Sequence, residues 1–180
     1  IGSYAGDQLT TAYSNVIIGR QAVGAATTHT DAVVIGIEAM GDCPAGVAVA
    51  GSVAVGAHTL KKLNSTNANY TVGVGYSAGL LLTDGIGNVA VGGYALDAET
   101  QGDFNTAIGY RALTAQVGVN GLVGNTAVGY DSGYSNTTGK FNTFIGANAG
   151  YTNTTGLNNT YIGYAAGYAG TGSRYNTVVG

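Results

Sequence analysis

The chain has 180 residues, a net charge of −3, only 8% charged side chains, 45% hydrophobic residues and 32 glycines. That hydrophobic content excludes disorder, and a single proline with no three-residue glycine period excludes collagen. No basic run exceeds Lys61-Lys62, so a nucleic-acid backbone has nothing to grip, and no apolar stretch reaches the ~18 residues of a membrane-spanning helix.

Short segments rich in β-branched residues follow one another along the chain, each closed by glycine. After Ile1-Gly2 come NVIIG (Asn15 to Gly19), AVVIG (Ala32 to Gly36, with Ile35), SVAVG (to Gly56), TVGVG (to Gly75) and NVAVG (Asn88 to Gly92). NTAIG (Asn105, Ile108, Gly109), NTAVG (Asn125, Gly129), NTFIG (Asn142, Ile145, Gly146), NTYIG (Asn159, Ile162, Gly163) and NTVVG (Asn176 to Gly180) complete the series. From Gly2 to Gly180 the closing glycines are 17, 17, 20, 19, 17, 17, 20, 17, 17 and 17 residues apart. Three residues after each glycine stands a small side chain, from Ala5 and Ala22 to Ala149 and Ala166.

Each unit holds short extended segments and turns, too little to bury a core alone. Stacking the units, strand on equivalent strand, solves that problem, so the sequence predicts an all-β, parallel β-solenoid of about ten 17-residue coils. The three longer spacings are insertions near 41–51, 61–69 and 114–124, expected to emerge as loops suited to recognition. At ~4.8 Å per coil the stack spans roughly 48 Å, and the asparagines opening seven of ten motifs are placed to form an amide ladder.

Alternation sets an expectation about faces. The second and fourth motif positions are always β-branched and are assigned to the coil interior. The middle position, Ile17, Val34, Ala54 and so on to Val178, is then outward and also apolar. A strand apolar on both faces is covered on both, which implies a homo-oligomer.

NTAIGYRAL, NTAVGYDSG and NTYIGYAAG resemble the head repeats of YadA-like trimeric autotransporter adhesins. With TTG in the linker (Thr137 to Gly139, Thr154 to Gly156), the longer unit is more similar to NTAIG-type repeats of phage tail fibres. The resemblance covers the whole chain and is strongest from Asn88 onward. It implies a left-handed β-roll, a homotrimer about one axis, and an extracellular role in a virion tail fibre or on a cell surface. The usual adhesin head repeat is shorter than this one. Residues 1–180 read as one repeat domain, expected to be a segment of a longer fibre because neither end carries a distinct cap.

Chemistry-bearing motifs are few. GYSAG (Gly75 to Gly79) fits the serine-hydrolase elbow G-x-S-x-G. Its siblings GYDSG, GANAG and GYAAG put Ser77 in the slot of Asp131, Asn148 and Ala165, an outward position where no singular elbow is expected. A hexapeptide-repeat acyltransferase, with His29 or His58 as base, needs three hexads per coil and finds one; His58 is expected to be exposed. Aspartates keep no common register for calcium, and T-x-T pairs do not stack into an ice-binding face. Five glycosylation sequons begin at Asn64, Asn69, Asn136, Asn153 and Asn158. Tyr76, Tyr110, Tyr130 and Tyr164 each follow a motif glycine; they either pack neighbouring coils or line a sugar-binding strip. The expectation is a non-enzymatic attachment-fibre segment with no cofactor and no metal, whose partners are its own copies and a host-surface receptor or glycan. A bacterial autotransporter adhesin head is the nearest alternative.

Overall fold

The computed structural model describes residues 1–66, 68–118 and 120–180, and among these no helix occurs. The third and second insertions each contain one residue outside that set, 119 and 67. The strands are β1 (Val16–Ile18), β2 (Val33–Ile35), β3 (Val53–Val55), β4 (Val72–Val74), β5 (Val89–Val91), β6 (Gly102–Asp103), β7 (Thr106–Ile108), β8 (Gly121–Leu122), β9 (Thr126–Val128), β10 (Thr143–Ile145), β11 (Thr160–Ile162) and β12 (Thr177–Val179). All but β6 and β8 form one ten-stranded sheet in chain order, while β6 and β8 pair separately. Pairing is parallel and in register: Thr143, Phe144 and Ile145 face Thr160, Tyr161 and Ile162. The chain is therefore a parallel β-solenoid of about ten turns, about 17 residues apart.

The turn after each motif glycine is built from alternating left-handed residues. Arg111 and Leu113 have φ of 54° and 51°, and the equivalent residues in the other coils repeat this pair. The first of each pair donates its N–H to the preceding coil, as Arg111 does to the Gly93 carbonyl at 3.0 Å. The second donates to the following coil, as Leu113 does to the Ser132 carbonyl at 3.0 Å. Side chains normally avoid this backbone region at a cost of ~1–2 kcal/mol each; here both N–H groups of the turn are satisfied by neighbouring coils.

The expected sidedness of the strands is inverted. The middle position faces the interior: Val34, Ala54, Ala107, Ala127, Phe144 and Tyr161 are buried, whereas Val33, Ile35, Thr143 and Ile145 flank them on the outside. The motif asparagine shares parity with the middle residue and lies inside with it. The coil is too thin for two β-branched side chains per strand. It holds one, matched in size to the left-handed turn residue opposite.

That matching runs along the core. In four coils the pairs are Val34 with Met40, Ala54 with Leu60, Ala90 with Leu96 and Ala107 with Leu113, all buried. Where the strand residue becomes Phe144 or Tyr161, the turn residue becomes Gly150 or Gly167. Within the first group of coils Gly73 and Gly79 leave space that the Leu60 side chain enters from the preceding coil.

A second interior column changes chemistry halfway. Leu9, Ala26, Cys43, Leu63 and Leu82 are followed in the same register by Glu99, Gln116, Asn136 and Asn153, and from Ala26 onward every one of these is fully buried. Beside it runs the asparagine ladder. Asn159 Nδ2 donates to Asn142 Oδ1 at 3.0 Å, and the same oxygen accepts the Asn159 backbone N–H at 3.0 Å. Asn142 Nδ2 donates in turn to Asn125 Oδ1 at 3.2 Å and to the Gly156 carbonyl at 2.8 Å. The same amide link joins Asn105 to Asn88 and Asn176 to Asn159. Between Asn105 and Asn125 only the Asn125 backbone N–H reaches Asn105 Oδ1, while Asn125 Nδ2 turns to Gln116 Oε1 and the Gly139 carbonyl. The buried members so avoid the ~1–3 kcal/mol penalty of an unmade bond.

Candidate functional site

Three of the four tyrosines singled out in the sequence come together. Tyr76 and Tyr110 each stand edge-on to Tyr94, at centroid distances of 5.4 and 6.0 Å. Tyr110 then stacks on Tyr130 at 5.9 Å with 11° between planes. His58 extends this column at the other end, edge-on to Tyr76 at 5.7 Å. Tyr94 is missing from the sequence candidates because Gly93 takes the expected slot and displaces the ring by one position. Tyr164, 77% exposed, is separated from Tyr130 in its register by Ala147 and makes no ring contact among the described residues.

Arg111 ties this column to a second one. Its guanidinium lies 5.2 Å from the Tyr110 ring centre and 4.9 Å from that of Tyr134. Asp131 holds it through both carboxylate oxygens, at 2.8 and 2.6 Å, and this hydrogen bonding raises the arginine pKa further. Tyr134, Tyr151 and Tyr168 stack face to face at 5.0 and 5.1 Å. Their faces are spent on each other, so this column offers edges and hydroxyls to solvent. The edge-on contacts of Tyr76, Tyr94 and Tyr110 instead turn successive rings relative to one another.

The residues of the hydrolase and acyltransferase readings also fall into place. Glu38, His58 and Ser77 occupy one register in three consecutive coils, and Glu38 Oε2 lies 3.4 Å from His58 Nδ1. His58 is thus half-buried and in contact with Glu38, not simply exposed. Lys61 also donates to Glu38 at 2.8 Å, and this bond holds the carboxyl below its ordinary pKa. Ser77, expected outside, is only 4% exposed. No hydrogen bond joins it to His58 among the described residues, and the Ser77 N–H is already given to the Ala57 carbonyl at 3.0 Å. An acid, an imidazole and a serine are in line, but the serine lacks both access and its base. His29 is fully buried with neither ring nitrogen partnered, and burial lowers its pKa. It cannot reach a substrate. Two of the five sequons, at Asn136 and Asn153, are interior and closed to modification.

The outer sheet face is a third feature. Ile18, Ile35, Val55, Val74, Val91, Ile108, Val128, Ile145, Ile162 and Val179 form one uninterrupted aliphatic column, one residue per coil. Beside it Val16, Val33, Val53, Val72 and Val89 give way to five threonines from Thr106 to Thr177. No family profile, curated protein or solved structure matches the chain.

Proposed function

We propose that this chain is a structural and adhesive segment of an extracellular attachment fibre of the phage tail-fibre kind, built as a left-handed β-roll homotrimer and without enzymatic activity. The observation that carries this reading is the ten-strand, in-register ladder bearing an unbroken aliphatic column on its outer face. A regular apolar strip of this length is poorly suited to water, and a second copy of the same strip matches its ~4.8 Å spacing coil for coil. Three copies about one axis cover three strips and leave no aliphatic strip exposed for further lateral association. The tyrosine column then appears three times, and weak glycan contacts gain avidity by repetition.

Light scattering coupled to size exclusion tests the assembly. Three chains per particle at micromolar concentration is the expected result, and Ile108→Asp with Ile145→Asp is expected to give monomers. A monomeric wild-type chain would overturn the proposal. Retention on intact bacterial cells, lost in a Tyr76→Ala/Tyr110→Ala variant that remains trimeric, tests the adhesive part.

A further inference from the structure

The residue five positions after a motif glycine can lie beside the residue two positions after the preceding coil's glycine, as the Tyr134 ring does beside Arg111. In the C-terminal coils the first of these positions is filled by the stacked rings of Tyr134, Tyr151 and Tyr168. Near the N-terminus the same register reads Asp7, Gly24 and Gly41. The missing side chains open a groove of about 600 Å³, within the range of small-molecule sites.

The two glycines are required where they stand. A Cβ at Gly41 would lie 2.9 Å from the Glu38 carbonyl oxygen, and one at Gly24 would run into the Gly41 carbonyl. The floor is therefore bare backbone. One wall carries Tyr4, Gln21 and Glu38, and the other Gln8 and Asp42. Glu38 is held from outside the groove by Arg20 at 3.3 Å and Lys61 at 2.8 Å; Lys62 holds Asp42 at 2.6 Å. Two acceptor groups are thus fixed by ion pairs, while among the described residues no cation lines the cleft. The Gln21 and Gln8 amides supply both donors and acceptors, and the exposed Tyr4 ring offers an apolar face.

We infer that this groove is a saccharide site, selective for neutral sugars and closed to acidic ones. Carboxylates and amides accept and return the hydrogen bonds of neighbouring hydroxyls, the Tyr4 ring meets an apolar sugar face, and an anion finds no cation among the described lining residues while Asp7 stands without an ion pair among them. The site is distinct from the tyrosine column and deepens the adhesive reading, on which its biological use rests. It also touches Gly41 and Asp42, the first residues of the insertion expected to serve recognition.

Saturation-transfer NMR on the assembled chain tests it, with methyl α-D-glucopyranoside, methyl β-D-galactopyranoside and methyl N-acetyl-β-D-glucosaminide as probes and N-acetylneuraminic acid as the anionic control. At least one neutral probe is expected to receive saturation, and the acid none. Ala25→Trp, which fills the groove from an exposed position, and Gln21→Ala, which removes one amide, are each expected to weaken the signal about tenfold. Arg174→Ala, at the far end, is expected to leave it intact. No transfer to any neutral probe would overturn the inference. So would transfer that survives both groove variants and disappears in Tyr110→Ala, although that result leaves the adhesive reading standing. Transfer lost in both groove variants with no retention on cells would keep the groove and sink the adhesive role.

Discussion

Phe144 and Gly150 share one space: a Cβ placed on Gly150 would lie 2.5 Å from the Phe144 ring. The ring occupies the volume that Leu113 fills in its own coil opposite Ala107. Phe144→Ala alone empties this volume and is expected to cost about 3–5 kcal/mol. Gly150→Leu alone overfills it. Combined, the two rebuild an Ala/Leu pair on a backbone already left-handed at Gly150, φ 63°. Denaturant unfolding of the cycle is expected to show a favourable coupling of about 1–3 kcal/mol. Additive effects would mean the two positions do not share a cavity.

The motif glycines set how closely the coils approach. A Cβ on Gly129, at φ 139°, would sit 2.6 Å from the Gly146 carbonyl oxygen. Gly129→Ala is expected to destabilise by about 3 kcal/mol, combining backbone strain with lost stacking. Ala147→Gly, at the neighbouring turn, is expected to change stability far less. A thermal melt of each variant is sufficient.

The amide ladder is unbroken from Asn125 to Asn176, so interrupting it in the middle strands groups on both sides. Asn142→Leu removes the acceptor of the Asn159 amide and of its backbone N–H, and the donor to Asn125. At about 1–3 kcal/mol for each buried group left unpaired, a loss of several kcal/mol in urea is expected. The same change at Asn176 removes only the side-chain bond to Asn159 and keeps the backbone N–H bond to the same oxygen, so it is expected to cost less.

Two buried groups act oppositely on pH dependence. Burial lowers the His29 pKa, so the unfolded chain takes up a proton first as pH falls below about 6.5. Stability is lost as pH drops through that window, and His29→Leu is expected to flatten the slope. Burial raises the pKa of Glu99, whose Oε1 accepts from the Thr100 and Gly102 N–H groups at 2.8 and 2.9 Å. The unfolded chain releases that proton first, so stability falls as pH rises from about 4.5 through the folded value. Urea midpoints measured from pH 4 to 8 for wild type, His29→Leu and Glu99→Gln separate the two.

Cys43 is fully buried, and desolvation pushes its thiol up to about 12. It is expected to resist a disulfide reagent in the native state and to react at once in denaturant. Rapid labelling of the native chain would show that the N-terminal coils open.

The repeat, its length and the stacked asparagines were readable because they depend only on period. Which strand face is interior was not, since aliphatic side chains occupy both faces: Val34 is as apolar as Ile35. One clue was present. Asn88 and Ala90 share parity, and a buried amide ladder carries the middle residue inward with it. The contact between Glu38 and His58 and the cleft above Gly24 and Gly41 were hidden for another reason. They join positions in different coils and at different turn offsets, and that adjacency exists only once the cross-section of the coil is known. Tyr94 escaped because one glycine shifts it out of register.

A fibre of identical coils has no ruler: sliding one chain past another by a single coil would return every aliphatic contact on the outer face. The three irregular spacings, together with the block in which Phe144 and Tyr161 replace alanines, break that translational symmetry at unequal intervals. In the assembly proposed above they would work as the wards of a key: copies that align all of them at once would have one register available, and misaligned copies would place each insertion against a coil that has none.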